Sequence, residues 1–162
     1  MVVAIAELSA LYPPKAEDII VNYGSCAVKN CAVGSIFMCN KIVEELTART
    51  FYPDMLYQHP FAEACLHTVE KEKLENLADD CIYDMEAAAF YQGAAFYYGP
   101  HQMLFLKAVT DHGDIHAEDP KEFQKRFCNI MNQAGEEIAA YLDEKLQTNI
   151  QEEEWKLAMQ ET

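Results

Sequence analysis

The stretch CIYDMEAAAFYQGAAFYYGPHQMLFLKAVTDHGD, residues 81–114, carries the pattern that decides the fold. A short strand leads into Asp84, whose side chain suits the N-cap of a following helix. Residues 85–96 are nearly all small or aromatic, and a helix that is apolar on every side is usually buried. Gly99-Pro100 ends that helix, and the apolar run at residues 103–109 is typical of a central parallel strand. The stretch therefore predicts a strand, a buried helix and a second buried strand.

The second strand of this unit ends abruptly in the polar segment TDHGD, residues 110–114. In open α/β sheets, ligands bind outside the carboxyl ends of the strands. We therefore expect a ligand site at this end of the sheet.

The rest of the chain alternates between helical and strand-like patterns. Helical patterns cover residues 1–11 and a long amphipathic stretch from Asp119 or Pro120 to about Leu146, and strand patterns cover residues 19–21, 36–39 and 64–69. Residues 22–25 (NYGS) predict a turn, and residues 47–61 a loop. This alternation favours a three-layer α/β/α fold with a mainly parallel central sheet. We assign residues 1–147 to one domain and residues 148–162 to an acidic C-terminal tail.

The charge of the chain limits its partners. Among 162 residues, 12 are Lys or Arg and 27 are Asp or Glu, which gives a net charge of −15. Such acidity argues against a nucleic-acid partner and against an anionic membrane surface. No apolar run approaches the roughly 20 residues that span a bilayer, and the N-terminus lacks the basic region of a signal peptide. We expect a cytoplasmic protein.

The cysteines and the acidic loop residues do not match a metal-site spacing. The six cysteines include no CxxC pair, so a zinc or thioredoxin-like motif has little support, and we expect reduced, buried thiols. Alternating acids and histidines follow residue 110, but their spacing fits no known site: they are Asp111, His112, Asp114, His116, Glu118 and Asp119. We therefore expect no metal.

Two motifs carry a resemblance to a known family. The helix start DMEAAA at residues 84–89, followed by VTDHGD at residues 109–114, resembles the purine/uridine phosphorylase and nucleosidase superfamily, including the methylthioadenosine/adenosylhomocysteine nucleosidases. That family pairs a (V/D)-M-E-(A/S/G)-A helix start with a strand ending in (S/T)-D-x-x-D. Residues 22–26 (NYGSC) resemble its glycine-serine loop. The resemblance implies cleavage of the N-glycosidic bond of a purine nucleoside.

The resemblance also implies roles at the sugar and the base. Glu86 would accept hydrogen bonds from the ribose hydroxyls, and Met85 would pack against the sugar. Asp111 would act as the general acid at the purine N7, which makes the base a better leaving group. A fixed carboxylate near the sugar suits the developing oxocarbenium charge, and an acid directly after an apolar strand is expected to be partly buried, as a general acid requires.

The remaining matching positions concern the nucleophile and the loop. Ser25 and the Gly24 backbone would lie near the nucleophile, which is either phosphate or water. Thr110 and Asp114 would hold the Asp111 loop in place. The resemblance implies no cofactor, although phosphate is a possible co-substrate.

Plainer interpretations of the same residues stay open. Asp84 suits an N-cap, Glu86 a first-turn acid that favours the helix dipole, and Asp111 a loop cap. None of these interpretations needs a ligand.

The chain also departs from the family pattern. The family begins with a strand, a glycine loop and a hairpin before the helix that here starts at residue 1, so we expect an N-terminally shortened form. The carboxylate that activates water and the N-terminal anion contacts belong to that opening portion. Three hypotheses follow: an active nucleosidase or phosphorylase, a catalytically weak module that binds a purine or nucleoside, and a shortened product whose fold is maintained by assembly. In each case we expect a homo-oligomer.

Overall fold

The computed structural model describes residues 2–71, 77–113 and 119–160, with side chains described as far as residue 145. In chain order the elements are α1 (Val2–Leu11), β1 (Ile20–Val28), β2 (Ile36–Glu44), β3 (Arg49–Phe51), β4 (Ala62–Thr68), β5 (Cys81–Asp84), α2 (Ala87–Ala94), a 3-10 turn (Pro100–Gln102), β6 (Met103–Asp111) and α3 (Pro120–Gln160). Among the described residues, no helix combines the length and apolarity needed to cross a bilayer.

The strands form a mixed sheet that closes on itself. Within the described part of the chain the order is β3-β2-β4-β5-β1-β6, and β2 also pairs with β6, so that five strands form a ring. The pairs β1–β6, β2–β4 and β4–β5 are parallel, whereas β1–β5, β2–β3 and β2–β6 are antiparallel. The predicted α/β class is confirmed. The prediction of a mainly parallel central sheet is not borne out, because parallel and antiparallel pairs are equal in number among the described strands and the twisted sheet curls until its strands meet.

The strand–helix–strand unit at residues 81–111 differs from the expected parallel crossover. Strands β5 and β6 both flank β1, but β5 runs antiparallel to β1 and β6 runs parallel to it. The pattern of apolar residues identifies the two strands but does not reveal the direction in which the chain re-enters the sheet. As a consequence, β5 pairs with the last two residues of β1, Ala27 and Val28, and its own carboxyl end points back along that strand.

Strand β6 is the centre of the molecule, since every residue in it except Asp111 is buried. Helices α1 and α2 cover one face of the sheet, and α1 packs closely over Gly93. A Cβ at that position would lie 3.2 Å from Val2 Cγ2 and 3.3 Å from Ile5 Cδ1, so glycine permits the close approach of the two helices. The opposite core includes residues of α3 packed on β6 and β2.

Helix α3 confirms the predicted amphipathic pattern. Its buried residues recur every three or four positions: Ile130, Ala134, Ile138 and Tyr141. The Asp119 carboxylate caps its first turn by accepting hydrogen bonds from the Lys121 and Glu122 N–H groups at 2.9 and 3.3 Å. The helix continues to Gln160, beyond the predicted end near Leu146.

Two further predictions need correction. Helix α2 spans only Ala87–Ala94 and is not buried on all sides, because Ala89 is exposed and the following Phe96 is 81% exposed. Residues 22–25 form no turn, because they continue β1 in register with β6. The neighbouring tyrosine and β-branched residues favour a strand strongly enough to outweigh the low strand propensity of the glycine.

Tyr23 joins β1 to α3, and its hydroxyl is expected to contribute to stability. The hydroxyl donates a hydrogen bond of 2.5 Å to the carbonyl oxygen of Met131. Tyr23→Phe should lower the free energy of unfolding by about 0.5–1.5 kcal/mol, measured by urea denaturation. Tyr12→Phe, at a tyrosine that is 71% exposed, is the control and should change it by less than about 0.5 kcal/mol. Equal effects of the two variants would contradict the assigned contact.

Candidate active site

A pocket of about 460 Å³ lies where β1, β6 and the start of α2 meet α3. A ligand pocket of this size holds a small organic molecule. Its lining residues are Gly24, Ser25, Cys26, Ala27, Val69, Tyr83, Asp84, Met85, Glu86, Lys107, Thr110, Asp111, Gly113, Phe123, Phe127 and Met131. The fold thus brings together the sequence-predicted site residues Gly24, Ser25, Met85, Glu86, Thr110 and Asp111. Asp114 lies outside the described residues.

A buried ion pair forms one wall of the pocket. Lys107 Nζ lies 2.8 Å from Asp84 Oδ2, and the two side chains are only 3% and 4% exposed. Thr68 donates a hydrogen bond of 2.8 Å from Oγ1 to Asp84 Oδ1, and the Ala87 N–H donates one of 2.9 Å to Asp84 Oδ2. The Ala88 N–H donates in turn to Thr68 Oγ1 at 3.0 Å. Asp84 therefore caps α2, as predicted, and also neutralises a lysine inside the central strand.

Gly24 provides the space that this lysine needs. It lies opposite Lys107 in the parallel pairing of β1 with β6. A Cβ at Gly24 would stand 3.1 Å from Lys107 Nζ, which is tighter than ordinary van der Waals contact. The absence of a side chain lets the ammonium group lie against the β1 backbone beside the pocket.

Asp111 is held in a fixed position at the end of β6. Its Oδ2 accepts a 2.8 Å hydrogen bond from Thr110 Oγ1, and its Oδ1 accepts one of 2.9 Å from the Gly113 N–H. The residue is partly buried, as expected from its place after an apolar strand. Arg126 of α3 donates a 2.6 Å hydrogen bond to the Thr110 carbonyl oxygen and so fixes the strand end against the helix. The Asp111 carboxyl group is thus held by two hydrogen bonds in the lining of the pocket.

Glu86 and Met85 form the rim of the pocket. Both residues are exposed, and Met85 is 51% exposed. Glu86 occupies the N-cap position of α2, but its side chain makes no capping hydrogen bond, because Asp84 serves that function. The Glu86 carboxylate is therefore available to a ligand and also benefits from the positive end of the helix dipole.

Cys26 also faces the pocket but is a poor nucleophile. Burial raises the pKa of its thiol well above the ordinary value, and the nearby Lys107 charge opposes that change only in part. A thiol that stays protonated lacks the reactivity of a thiolate.

Sequence reasoning missed Lys107 and the apolar wall supplied by α3. A lysine within an otherwise apolar strand was the available signal, because a buried lysine requires a carboxylate partner. Three pocket residues of α3 had no such signal, since their spacing is that of any amphipathic helix: Phe123, Phe127 and Met131.

The buried ion pair is expected to dominate local stability. Lys107→Met leaves Asp84 charged and unpaired, and should lower the free energy of unfolding by about 3–5 kcal/mol in urea denaturation. The double variant Asp84→Asn with Lys107→Met removes both charges and keeps a side-chain oxygen that accepts the hydrogen bond from Thr68. It should recover much of the lost free energy of unfolding. Lys29→Met is the control, because its ion pair is exposed on the surface, and should cost less than about 1 kcal/mol. A double variant as unstable as Lys107→Met would contradict the role of the charge.

Solved structures of nucleosidases share the fold at low sequence identity. A structure of MTAN from Chlamydia trachomatis bound to MTA matches with a TM-score of 0.63 and 15% identity, over 88% of this chain and 72% of that chain. The 5′-methylthioadenosine/S-adenosylhomocysteine nucleosidase from S. pneumoniae with a transition-state inhibitor matches with a TM-score of 0.64 and 16% identity, over 87% of this chain and 74% of that chain. The corresponding nucleosidase from Colwellia psychrerythraea in complex with adenine matches with a TM-score of 0.61 and 16% identity, over 82% and 69% of the two chains.

No curated protein matches the chain by sequence. At the family level the resemblance drawn from residues 84–89 and 109–114 is confirmed. The sequence pattern described as the phosphorylase superfamily matches residues 18–147, which is most of the chain, and the protein therefore belongs to that superfamily.

Proposed function

We propose that the protein hydrolyses the N-glycosidic bond of a purine nucleoside, with Asp111 at the base and Glu86 at the sugar. The observation that carries this proposal is that both carboxylates line one pocket whose lysine is already neutralised by Asp84. The pocket is therefore net acidic and suits a substrate that becomes positively charged as it reacts.

The proposed reaction separates the nucleoside between its sugar carbon and its base nitrogen. The bond from C1′ to N9 breaks, its electron pair leaves with the base, and the protonated Asp111 carboxyl gives its proton to N7. The sugar carbon gains oxocarbenium character, which the Glu86 carboxylate stabilises while it accepts hydrogen bonds from the ribose hydroxyls. Water then adds to C1′, and the proton that it loses passes through solvent to the Asp111 carboxylate, which restores the acid.

The position of Asp111 supports its role as the acid. Hydrogen bonds from Thr110 and from the Gly113 backbone hold the carboxyl group, and Arg126 donates a hydrogen bond to the Thr110 carbonyl oxygen at the same strand end. The three apolar residues of α3 that line the pocket offer a dry surface against which a purine can pack.

The charges of the lining favour water over phosphate as the nucleophile. Among the described residues that line the pocket, Lys107 is the only cationic side chain, and it is bonded to Asp84. A phosphate dianion would have to approach Glu86 and Asp111 without an available cation, whereas water meets no such repulsion. We place the attacking water near Ser25 and the Gly24 backbone.

The self-association of the protein and its location in the cell remain predictions. Large apolar side chains are exposed on α1, directly after it and after α2, namely Val3, Leu11, Tyr12 and Phe96. Such a surface favours contact with another apolar surface, in keeping with the expected homo-oligomer. The cytoplasmic location and the lack of a cofactor remain expectations from the sequence.

An activity assay tests the proposed reaction. Purified protein is incubated with methylthioadenosine, adenosine or inosine, with and without phosphate, and the released base and sugar are separated by chromatography. We expect free base and free sugar from at least one nucleoside, without dependence on phosphate. Asp111→Asn should lower kcat/KM by roughly 10²- to 10⁴-fold, the usual contribution of a general acid. The matched control is Asp143→Asn, at an exposed position of α3 outside the pocket.

Three results would contradict the proposal. Release of a sugar phosphate would show phosphorolysis. No base release from any nucleoside, combined with a thermal shift in the presence of adenine or hypoxanthine, would favour the binding module. Equal activity of the wild type and Asp111→Asn would exclude Asp111 as the acid.

The contact between Glu86 and the ribose has its own test. Glu86→Gln should lower kcat/KM by roughly 10- to 100-fold, because hydrogen bonds to a charged group contribute about 1.5–3 kcal/mol. The loss should shrink with a 2′-deoxynucleoside, which lacks one hydroxyl. Glu136→Gln, an exposed acid of α3, should leave kcat/KM unchanged. The same loss on ribo- and 2′-deoxynucleosides would contradict bonding of Glu86 to the 2′-hydroxyl.

A further inference from the structure

Two cysteines and a histidine meet on neighbouring strands away from the pocket. Cys65 and His67 lie two positions apart on β4, and therefore on the same face of the sheet. Cys81 of β5 is paired directly with Cys65. The candidate ligand atoms of the three residues all lie within 4.8 Å of one another, and each residue is partly buried. None of the three lines the pocket described above.

The spacing of these atoms is near that of a bound metal ion. A tetrahedral zinc ion has Zn–S bonds of about 2.3 Å and Zn–N bonds of about 2.0 Å, which puts two sulfur ligands about 3.8 Å apart. Cys65 and Cys81 already stand directly opposite each other in the pairing of β4 with β5. Small side-chain rotations on a rigid pair of strands therefore suffice to bring the three ligands onto one ion.

A carboxylate next to the histidine completes the arrangement. Nδ1 of His67 lies 3.3 Å from Oε1 of Glu45. Histidines that bind metals usually donate their other ring N–H to a carboxylate, which fixes the tautomer and raises ligand basicity. A neutral His67 that donates from Nδ1 to Glu45 keeps the lone pair of Nε2 for a cation. The Tyr83 ring, with its centroid 5.5 Å from that of His67, limits the movement of the imidazole.

We propose that Cys65, His67 and Cys81 bind one zinc ion through three protein ligands and leave a fourth position for water or a nearby acid. Sulfur and imidazole donors select zinc over the harder magnesium and calcium ions. Asp80 lies beside Cys81, and with the net charge of −15 the surroundings attract a cation. Lys41, paired with Cys65 across β2 and β4, is the nearby positive group.

Zinc binding has a measurable consequence, which is the release of the thiol protons. Cysteine binds zinc as the thiolate, so binding displaces the protons. The ion therefore exchanges two S–H protons for two Zn–S bonds without any change of oxidation state.

The test uses untagged, full-length protein that is kept reduced and stripped with a chelator. Zinc is titrated in competition with a chromophoric chelator, and cobalt is added separately as a spectroscopic probe. We expect one equivalent of zinc, and for cobalt a thiolate-to-metal charge-transfer band with the absorption of a tetrahedral ion. Zinc should also raise the thermal midpoint of the wild type, because it binds only the folded state.

Matched variants identify the ligands. Cys65→Ser and Cys81→Ser should weaken zinc binding by at least roughly 100-fold, and Glu45→Gln, which alters only the orienting carboxylate, by about 10- to 100-fold. Cys128→Ser, at an exposed cysteine of α3, should bind like the wild type. Because Glu45→Gln leaves all three ligands in place, it remains informative if a cysteine variant fails to fold.

Other outcomes would overturn the proposal. No zinc binding, equal binding by the wild type and by Cys65→Ser, or a cobalt spectrum without thiolate bands would each exclude this site. A disulfide between Cys65 and Cys81 that forms in air and persists with zinc present would show that the pair is a redox couple instead. Their direct pairing on adjacent strands places that bond within reach.

Discussion

The structure depends on one buried ion pair, between Lys107 in the central strand and Asp84 at the end of β5. Removing two charges from water costs several kcal/mol for each ion, so the pair persists only where the geometry and the surrounding hydrogen bonds are good. Here Thr68 and the first turn of α2 provide those bonds to Asp84. The pair therefore joins β4, β5, β6 and α2 at one point. It also affects the charge of the pocket, because it neutralises the lysine that lies in the same lining as the acids at residues 86 and 111.

The elements of the fold were largely predictable from the sequence, whereas their arrangement was not. Apolar periodicity located α1, α3, β4 and β6, and the Asp84 cap was correctly expected at the start of α2. The direction of β5 and the pairing of β2 with β6 depend on contacts between residues far apart in the chain, which no local pattern encodes. The turn expected at residues 22–25 was wrong for a related reason. Gly24 indicated flexibility in the sequence, but in the structure it makes room for Lys107 across the sheet.

The residues of the candidate site likewise fall into those that were predictable from the sequence and those that were not. Residues 86 and 111 were identified because each belongs to a short local motif, and the closed sheet brings both to one pocket. Lys107 and the apolar residues of α3 were missed because their importance arises only from tertiary contacts. The cysteine–histidine cluster illustrates the limit most clearly. Its three residues come from two strands, with 16 positions between residues 65 and 81, so a search for CxxC spacing could not detect the cluster.

The central claim is that the ion pair organises a pocket in which the base of a nucleoside meets Asp111 and the sugar meets Glu86. The most direct measurement is a crystal structure of the protein with a C-nucleoside analogue of adenosine, whose carbon–carbon glycosidic bond cannot be cleaved. The account predicts N7 of the base within hydrogen-bond distance of the Asp111 carboxyl, the ribose hydroxyls on Glu86, and the base against Phe123 and Phe127. A ligand bound elsewhere, or bound with its base at Glu86 and its sugar at Asp111, would contradict it.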